Sequence, residues 1–510
     1  MPTSAPEAVD VLIVGAGPVG LMLAGELCLS GVRPVVVERS AERARVPKAG
    51  GITGQVVRLL EHRGVYGRLT GDPAPPRPMP AYVYGALPLP LPDWEDNPLF
   101  GFTIQQWDLE AGLETWALER GADIRRGHEL LGFAQDADGV MAELSTGTVR
   151  ARFVVGCDGG RSQVRKLAGI GFPGVTSRRM TSRAADVVLP EGTRLVDDET
   201  ALPGGLTYHR TETGLLACLS LQPGTHRLVV MEWDQPEVPD DVPITFDEVR
   251  AALTRVYGRE VAVREPSTDG PRLLRRLNGT NARLADRYRE GRVLVAGDAA
   301  HVHSSIGAPG LNVGLQDAAN LGWKLAAEVL GWAPAGLLDT YQEERHLVGR
   351  RVMAFTQAQL ALLGPGSEIT ALREVFGELM TEPATARRVA TMLAGADVRY
   401  PTAGADDHPL AGRWVPDLPL TRDGRPVRLA ELARSGRPVL LDLTGDGTPG
   451  EVAAGWAGRV DRVTARSAAA PADAVLVRPD GYVAWAGDQP EELAKALRTW
   501  FGEPVPAPAG

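Results

Sequence analysis

The sequence predicts an α/β chain in which a doubly wound, mostly parallel sheet carries an inserted antiparallel sheet and is followed by a small α/β domain. Three observations make that prediction. Short apolar runs end in glycines and an acid at three places: residues 9–14 into 15–20, residues 153–156 into Asp158-Gly159, and residues 293–296 into Gly297-Asp298. Buried parallel strands whose carboxyl ends face a crevice have this pattern. Residues 177–269 instead alternate apolar and polar positions, as in 215–221 and 227–233, which is the signature of antiparallel strands with one covered face. A stretch rich in Pro, Gly and Asp at 401–426 then reads as a linker to the remainder.

The first unit carries the fullest signal. The strand at 9–14 runs directly into Gly15-Ala16-Gly17-Pro18-Val19-Gly20 and a helix over 21–29, closed by Ser30-Gly31. A second strand at 35–37 ends in Glu38. Glycines at these spacings permit a tight turn and let a pyrophosphate approach a helix N-terminus, and an acid about 20 residues on takes ribose hydroxyls. Strand, loop, helix, second strand and acid together read as a Rossmann-like dinucleotide unit. Arg39, Arg43, Arg45 and Lys48 follow the acid; they either balance a pyrophosphate or form a solvated basic run.

Residues 73–98 are dense in proline, with Tyr82, Tyr84 and Trp94 interleaved. Helix is excluded there, and an irregular excursion over a pocket is expected. Ile104-Gln105-Gln106 leads into an amphipathic helix through Leu109, Leu113 and Leu118. On pattern alone Gln106 is a ligand contact or an ordinary helix-start residue. A hairpin turning at 136–139 brings the chain to Asp158, with Ser162 as the cap of the next helix.

Residues 293–314 organise the rest. Asp298 suits the hydroxyls of a sugar-alcohol chain. The free N–H groups near Leu311 and Asn312, with the positive end of the helix dipole, favour a developing anion. Helices are expected over 311–330 and much of 337–393. The tail reads as a strand at 439–443, a hairpin over 475–485 turning at Pro479-Asp480-Gly481, and a helix near 491–501.

Bulk composition narrows the partners. The 510 residues, 44% hydrophobic and 23% charged, are those of a globular protein with several cores. A net charge of -10 argues against nucleic acid or an anionic membrane surface. Cys28, Cys157 and Cys218 form no CxxC pair and are expected as reduced, buried thiols. The apolar run at 11–25 is shorter than the roughly 20 residues of a membrane span. It also lacks a basic leader, because no Lys or Arg precedes Arg33. A cytoplasmic protein without a metal site is expected.

With three strand-end motifs in this order, the sequence resembles the FAD-dependent aromatic hydroxylases of the para-hydroxybenzoate hydroxylase class. Within it, the chain is similar to the polyketide hydroxylases that tailor anthracyclines and angucyclines, and to rifampicin monooxygenase. The resemblance spans essentially the whole chain. It implies a Rossmann-like FAD-binding domain over 1–176 and 270–400, an inserted substrate-binding β-sheet domain over 177–269, and a thioredoxin-like domain over 401–510. That last domain, matched through the segment 408–413, has no CxxC and is expected to be structural. The implied FAD contacts are Gly15, Gly17, Pro18, Val19, Gly20, Glu38, Arg39, Lys48, Gln106, Asp158, Asp298, Pro309, Gly310, Leu311 and Asn312.

Two departures stand out. Ser304-Ser305 and Ala308-Pro309 occupy positions where members commonly carry a Pro and a Gly-Gln pair, beside the expected reacting edge of the flavin. Lys48 stands where an Arg often contacts FAD, keeping the charge but losing the bidentate fork.

The resemblance implies that NADPH or NADH, bound transiently, reduces FAD, that O₂ adds at C4a, and that the hydroperoxide hydroxylates an electron-rich polycyclic aromatic ring. The protein's share is positioning, dryness and electrostatics. No catalytic base is assigned: His301 and His303 read first as structural hydrogen bonders, and Tyr208, His209 and Trp233 as packing. Baeyer–Villiger or ring-opening oxygen insertion uses the same motifs, and a flavoprotein that modifies or sequesters an antibiotic is the remaining alternative. A halogenase is disfavoured, since no two Trp lie two residues apart.

Overall fold

Strands Val293–Val295, Gly147–Gly156, Glu7–Val14, Val35–Glu38 and Asp123–Arg126 lie side by side in that order, each parallel to its neighbours. Leu12, Ile13, Val154, Val155 and Leu294 are shut off from solvent, as strands between two covered faces should be. The computed structural model describes residues 6–43, 50–91, 94, 96–190, 193, 195, 206–222, 224–267, 272–304, 306, 307, 309–402 and 408–505. Lys48, Arg45, Ser305 and Ala308 lie outside these described residues.

Register sets the height at which the motifs emerge. Val14 is level with Gly156, and Gly156 with Val295. The ladder continues one step: Cys157 N–H donates to the Val14 carbonyl at 2.8 Å, and Ala296 N–H to that of Gly156 at 3.0 Å. Three glycine–acid turns therefore leave the sheet together. Behind them the helix Pro18–Leu29, apolar on all sides, is buried. It can approach its neighbours only through missing side chains: a Cβ on Gly25 would lie 1.8 Å from the Trp116 ring, and one on Gly322 would lie 2.5 Å from Glu26 Cβ.

The second sheet is antiparallel, ordered Leu206–Arg210, Gly214–Gln222, Thr225–Trp233, Gly174–Val188, Leu274–Leu284, His301–Val302. Helix Phe246–Tyr257 covers one face, with Val249, Leu253 and Val256 against Leu216, Leu228 and Val230. The opposite face carries Met180, Leu215 and Met231. This sheet exceeds the expected 177–269. The strand Leu274–Leu284, LRRLNGTNARL, is polar at most positions, so pairing with Gly174–Val188 specifies it where its own alternation does not. The last strand, His301–Val302, comes straight out of the Gly297 turn.

Four local expectations are corrected. Within the proline-rich 73–98, Ala81–Tyr84 and Leu87–Pro90 form a hairpin turning at Gly85 and Ala86, both at positive φ. Pro88 and Pro90 fall opposite Val83 and Ala81, the positions of an antiparallel pair whose amides point outward, so no ladder bond is lost. Leu118 is 51% exposed, and Trp116 takes the buried place on that helix. The described part of 401–426 is no loose linker: Trp414, Val415 and Leu418 are buried in the main core, and Arg58 donates to the Val415 carbonyl. Cys218 is buried, but Cys28 and Cys157 keep partial exposure.

Toward the C-terminus, strands Asp461–Thr464, Val439–Asp442, Ala474–Val477 and Val483–Gly487 form a mixed sheet. Leu493, Leu497, Trp500 and Phe501 of helix Pro490–Phe501 pack there with Trp323 and Leu337. Among the described residues no helix is long and apolar enough to cross a membrane.

Candidate active site

The first turn is built by close packing. Gly15, at φ 108°, donates to the Val37 carbonyl, and a Cβ there would lie 2.5 Å from the Cys157 oxygen. Gly17 is the N-cap of the helix, with no side-chain cap and nothing within 4 Å of where a Cβ would sit. Pro18 fills the first helical position, which needs no N–H. A Cβ on Gly20 would strike the Gly15 oxygen at 2.0 Å. Val19 wedges between the bare Cα atoms of Gly297 and Gly314, where added Cβ atoms would lie 2.8 and 2.7 Å from its Cγ2. Glu38 accepts from Ala16 N–H and Ser40 N–H, each at 3.0 Å, so it tethers the glycine loop. Arg39 is exposed beside it.

Asp158 is first a helix cap. Its Oδ2 accepts from Gln163 N–H at 2.6 Å and Val164 N–H at 3.1 Å, while Ser162 Oγ accepts from Arg165 N–H. Asp158 Oδ1 is buried with no partner. Arg165 spans from this helix to the carbonyl of Ala299, tying the second turn to the third.

The third turn hangs on one buried carboxylate. Asp317 accepts from Gly297 N–H at 3.1 Å, lies 2.7 Å from His301 Nε2, and takes Arg345 Nε at 2.6 Å. Burial pushes the Asp317 carboxyl up, but Arg345 and His301 outweigh it and leave it below the ordinary value. Asp298 then stands exposed at the turn. Helix Pro309–Val329 starts beyond it, and the first-turn amides of Gly310 and Leu311 have no carbonyl within the helix to bond. The Asn312 side chain is spent on structure, exchanging bonds of 3.0 and 3.1 Å with Thr53. Gln106 donates to Glu110 one turn on.

Two acceptors complete the picture. Gln105 Oε1, next to the expected Gln106, is buried without a partner. His303 Nδ1 lies 2.9 Å from the Ser304 carbonyl, which only accepts, so Nδ1 carries the proton and Nε2 is bare; Nε2 too is buried and unpartnered. Burial lowers the His303 pKa to about 4, against the Ser304 carbonyl and helped by His301. Around the loop end at Ile306 gather Met180, Leu215, Met231, Leu363, Tyr208 and Trp233. His209 lies apart, edge-on to Tyr257.

Sequence reasoning thus located the turns, and the structure brings Gly15–Gly20, Asp158, Asp298 and Gly310 together. It missed Gln105, Arg165 and Asp317. Only Asp317 had a signal, as a lone acid on the apolar face of its helix. The residues fit a flavin dinucleotide: an open Cα face at Gly17, two helix N-termini, and buried acceptors at Asp158, Gln105 and His303 that nothing among the described residues completes.

Residues 8–356 match the model of an FAD binding domain, and 408–504 that of the aromatic-ring hydroxylase C-terminal domain. The chain belongs to the FAD-dependent aromatic-ring hydroxylase family and is a flavin monooxygenase by class. It is 42% identical to an anhydrotetracycline monooxygenase of Streptomyces rimosus, over 97% of this chain and 99% of that one. It is 40% identical to a rifampicin monooxygenase of Rhodococcus hoagii, over 97% and 98%. The crystal structure of an aromatic hydroxylase from angucycline biosynthesis superposes with a TM-score of 0.86 at 39% identity, covering 97% of this chain and 99% of that one.

Proposed function

We propose that this enzyme uses FAD, NADPH or NADH, and O₂ to hydroxylate a polycyclic aromatic polyketide in antibiotic biosynthesis. The observation that carries the reading is the common height of Val14, Gly156 and Val295, which sets three glycine–acid turns at one edge, beside the apolar cluster around Ile306. The names of the similar proteins, an anhydrotetracycline monooxygenase, a rifampicin monooxygenase and an aromatic hydroxylase from angucycline biosynthesis, support the substrate class. A division into an FAD domain at 1–176 and 270–400, a substrate domain at 177–269 extended by the strand Leu274–Leu284, and a thioredoxin-like domain at 401–510 belongs to the same proposal.

Bound FAD would supply the redox chemistry, taking electrons from the nicotinamide and activating O₂. The chain's own residues do the rest. Gly17 and the helix behind it receive the pyrophosphate, Glu38 holds the loop and faces the ribose, and Asp298 accepts from the sugar-alcohol chain. The helix start at Gly310–Asn312 would favour negative charge on the bound group. Met180, Leu215 and Met231 hold an apolar ring and exclude water. Baeyer–Villiger insertion is the second reading, favoured by the Ser304 and Pro309 departures in the loop beside that cluster.

The test is oxygen-18 incorporation from labelled O₂ with the yellow holoenzyme, NADPH, and a panel of anhydrotetracycline and angucycline precursors. One labelled oxygen on an intact carbon skeleton is expected. A labelled lactone selects the second reading, and conversion without label would exclude oxygen transfer altogether.

A further inference from the structure

His303 is the one histidine of the loop that the frame does not use. His301 beside it, its ring stacked at 6.2 Å and 8° from parallel, is held by Asp317. His303 spends its only proton on the Ser304 carbonyl and presents a bare Nε2, buried and unpartnered. Buried acceptors are ordinarily completed, so an orphan at the mouth of a site marks a place for something the protein does not itself supply. What stands in front of it is also informative. A Cβ on Gly310 would lie 3.3 Å from His303 Cε1, 3.6 Å from Nε2 and 4.0 Å from Asp298 Oδ1. The missing side chain at Gly310 therefore keeps open a gap bounded by an imidazole acceptor, a carboxylate and the first turn of a 21-residue helix.

We propose that His303 is a ligand-recognition residue whose Nε2 accepts a hydrogen bond from a hydroxyl or ring N–H of a molecule held against the N-terminus of helix Pro309–Val329. The proposal rests on the flavin reading above. The donor belongs either to FAD or to the hydroxylated aromatic substrate, since both carry such groups. The ring acts by accepting and not by removing a proton. With its pKa at about 4 it is a weak base, poorly matched to a phenol at neutral pH.

The test compares wild type, His303→Phe, which keeps a flat ring without an acceptor, and His303→Gln, which restores one. Flavin fluorescence gives the FAD dissociation constant, and absorbance difference titration of the holoenzyme gives the affinity for anhydrotetracycline. If FAD is the donor, His303→Phe weakens FAD about tenfold and His303→Gln recovers much of it. If the substrate is the donor, FAD affinity holds while anhydrotetracycline weakens by a similar factor. Both ligands binding His303→Phe within twofold of wild type overturns the proposal. Failure of wild type to take up FAD at all instead removes the flavin reading. Should His303→Phe not fold, Gly310→Ala, whose methyl closes the gap in front of the imidazole, is expected to give the same loss by the same readouts.

Discussion

The two halves of helix Pro309–Val329 are opposites. Its first turn brings Gly310 against His303 and Asp298, and the amides of Gly310 and Leu311 have no partner within the helix. Further along, the buried Asp317, Asn320 and Lys324 side chains are all engaged. Asn320 donates to Glu344 and Asp480, Lys324 lies 2.7 Å from Glu344, and Arg478 clasps Glu344 with bonds of 2.6 and 2.7 Å. Trp323, Trp500, Tyr400 and Tyr482 stand around the Arg478 guanidinium. One helix thus carries a saturated polar core at one end and an unsatisfied edge at the other. Buried charge that is fully paired holds a frame; polar groups left open beside it are reserved for a ligand.

The largest effect should come from breaking the saturated end. Glu344→Gln leaves Lys324 and Arg478 buried with Asp480 as the remaining carboxylate of the group, and should cost about 3–5 kcal/mol in urea unfolding. A loss below about 1 kcal/mol would show that the network is not a frame. The same residue sets an acid limb. Burial raises the Glu344 carboxyl, but Arg478 and Lys324 pull it further down, to about 2 from an ordinary 4.5. A depressed carboxylate contributes stability above its unfolded pKa and loses it as pH falls toward the folded one. Wild type should therefore lose more stability than Glu344→Gln between about pH 4.5 and 2. Lys324 is lowered as well, to about 8, because burial, aided by the Arg478 cation, outweighs the Glu344 and Asp480 carboxylates.

A middle-sized effect tests the open edge. Gly17→Ser meets no atom within 4 Å and keeps a good N-cap. The apoprotein should melt as wild type does, while FAD binding weakens at least about tenfold, because the pyrophosphate needs the bare Cα. Equal FAD affinity would place the dinucleotide elsewhere. The smallest effect is expected at Ser162→Ala, which removes the bond to Arg165 N–H but leaves Asp158 capping the same helix. About 1 kcal/mol should be lost on thermal unfolding.

The same contrast explains what could be read in advance. The glycine turns were legible because their chemistry is local: each is a strand running into glycines, with an acid beside them or, for Glu38, at the end of the next strand. Glu344 and Arg478 are 134 residues apart, and Arg345 reaches Asp317 across 28, so neither pairing leaves a mark in any window of sequence. Gln105 was overlooked for Gln106 because helix phase cannot be fixed at a helix start. The hairpin at Ala81–Pro90 was hidden by prolines whose harmlessness depends on register, which only the folded pair reveals.

The insertion of Arg478 and Asp480 into the first domain has a consequence for the order in which the molecule is made. On the ribosome, Glu344 and Lys324 emerge long before the turn that completes them. Until Arg478 and Asp480 are synthesised, Glu344 and Asn320 lack the partners that complete them. The flavin half is therefore expected to finish folding late, after the tail arrives, as a clasp closes a book already written.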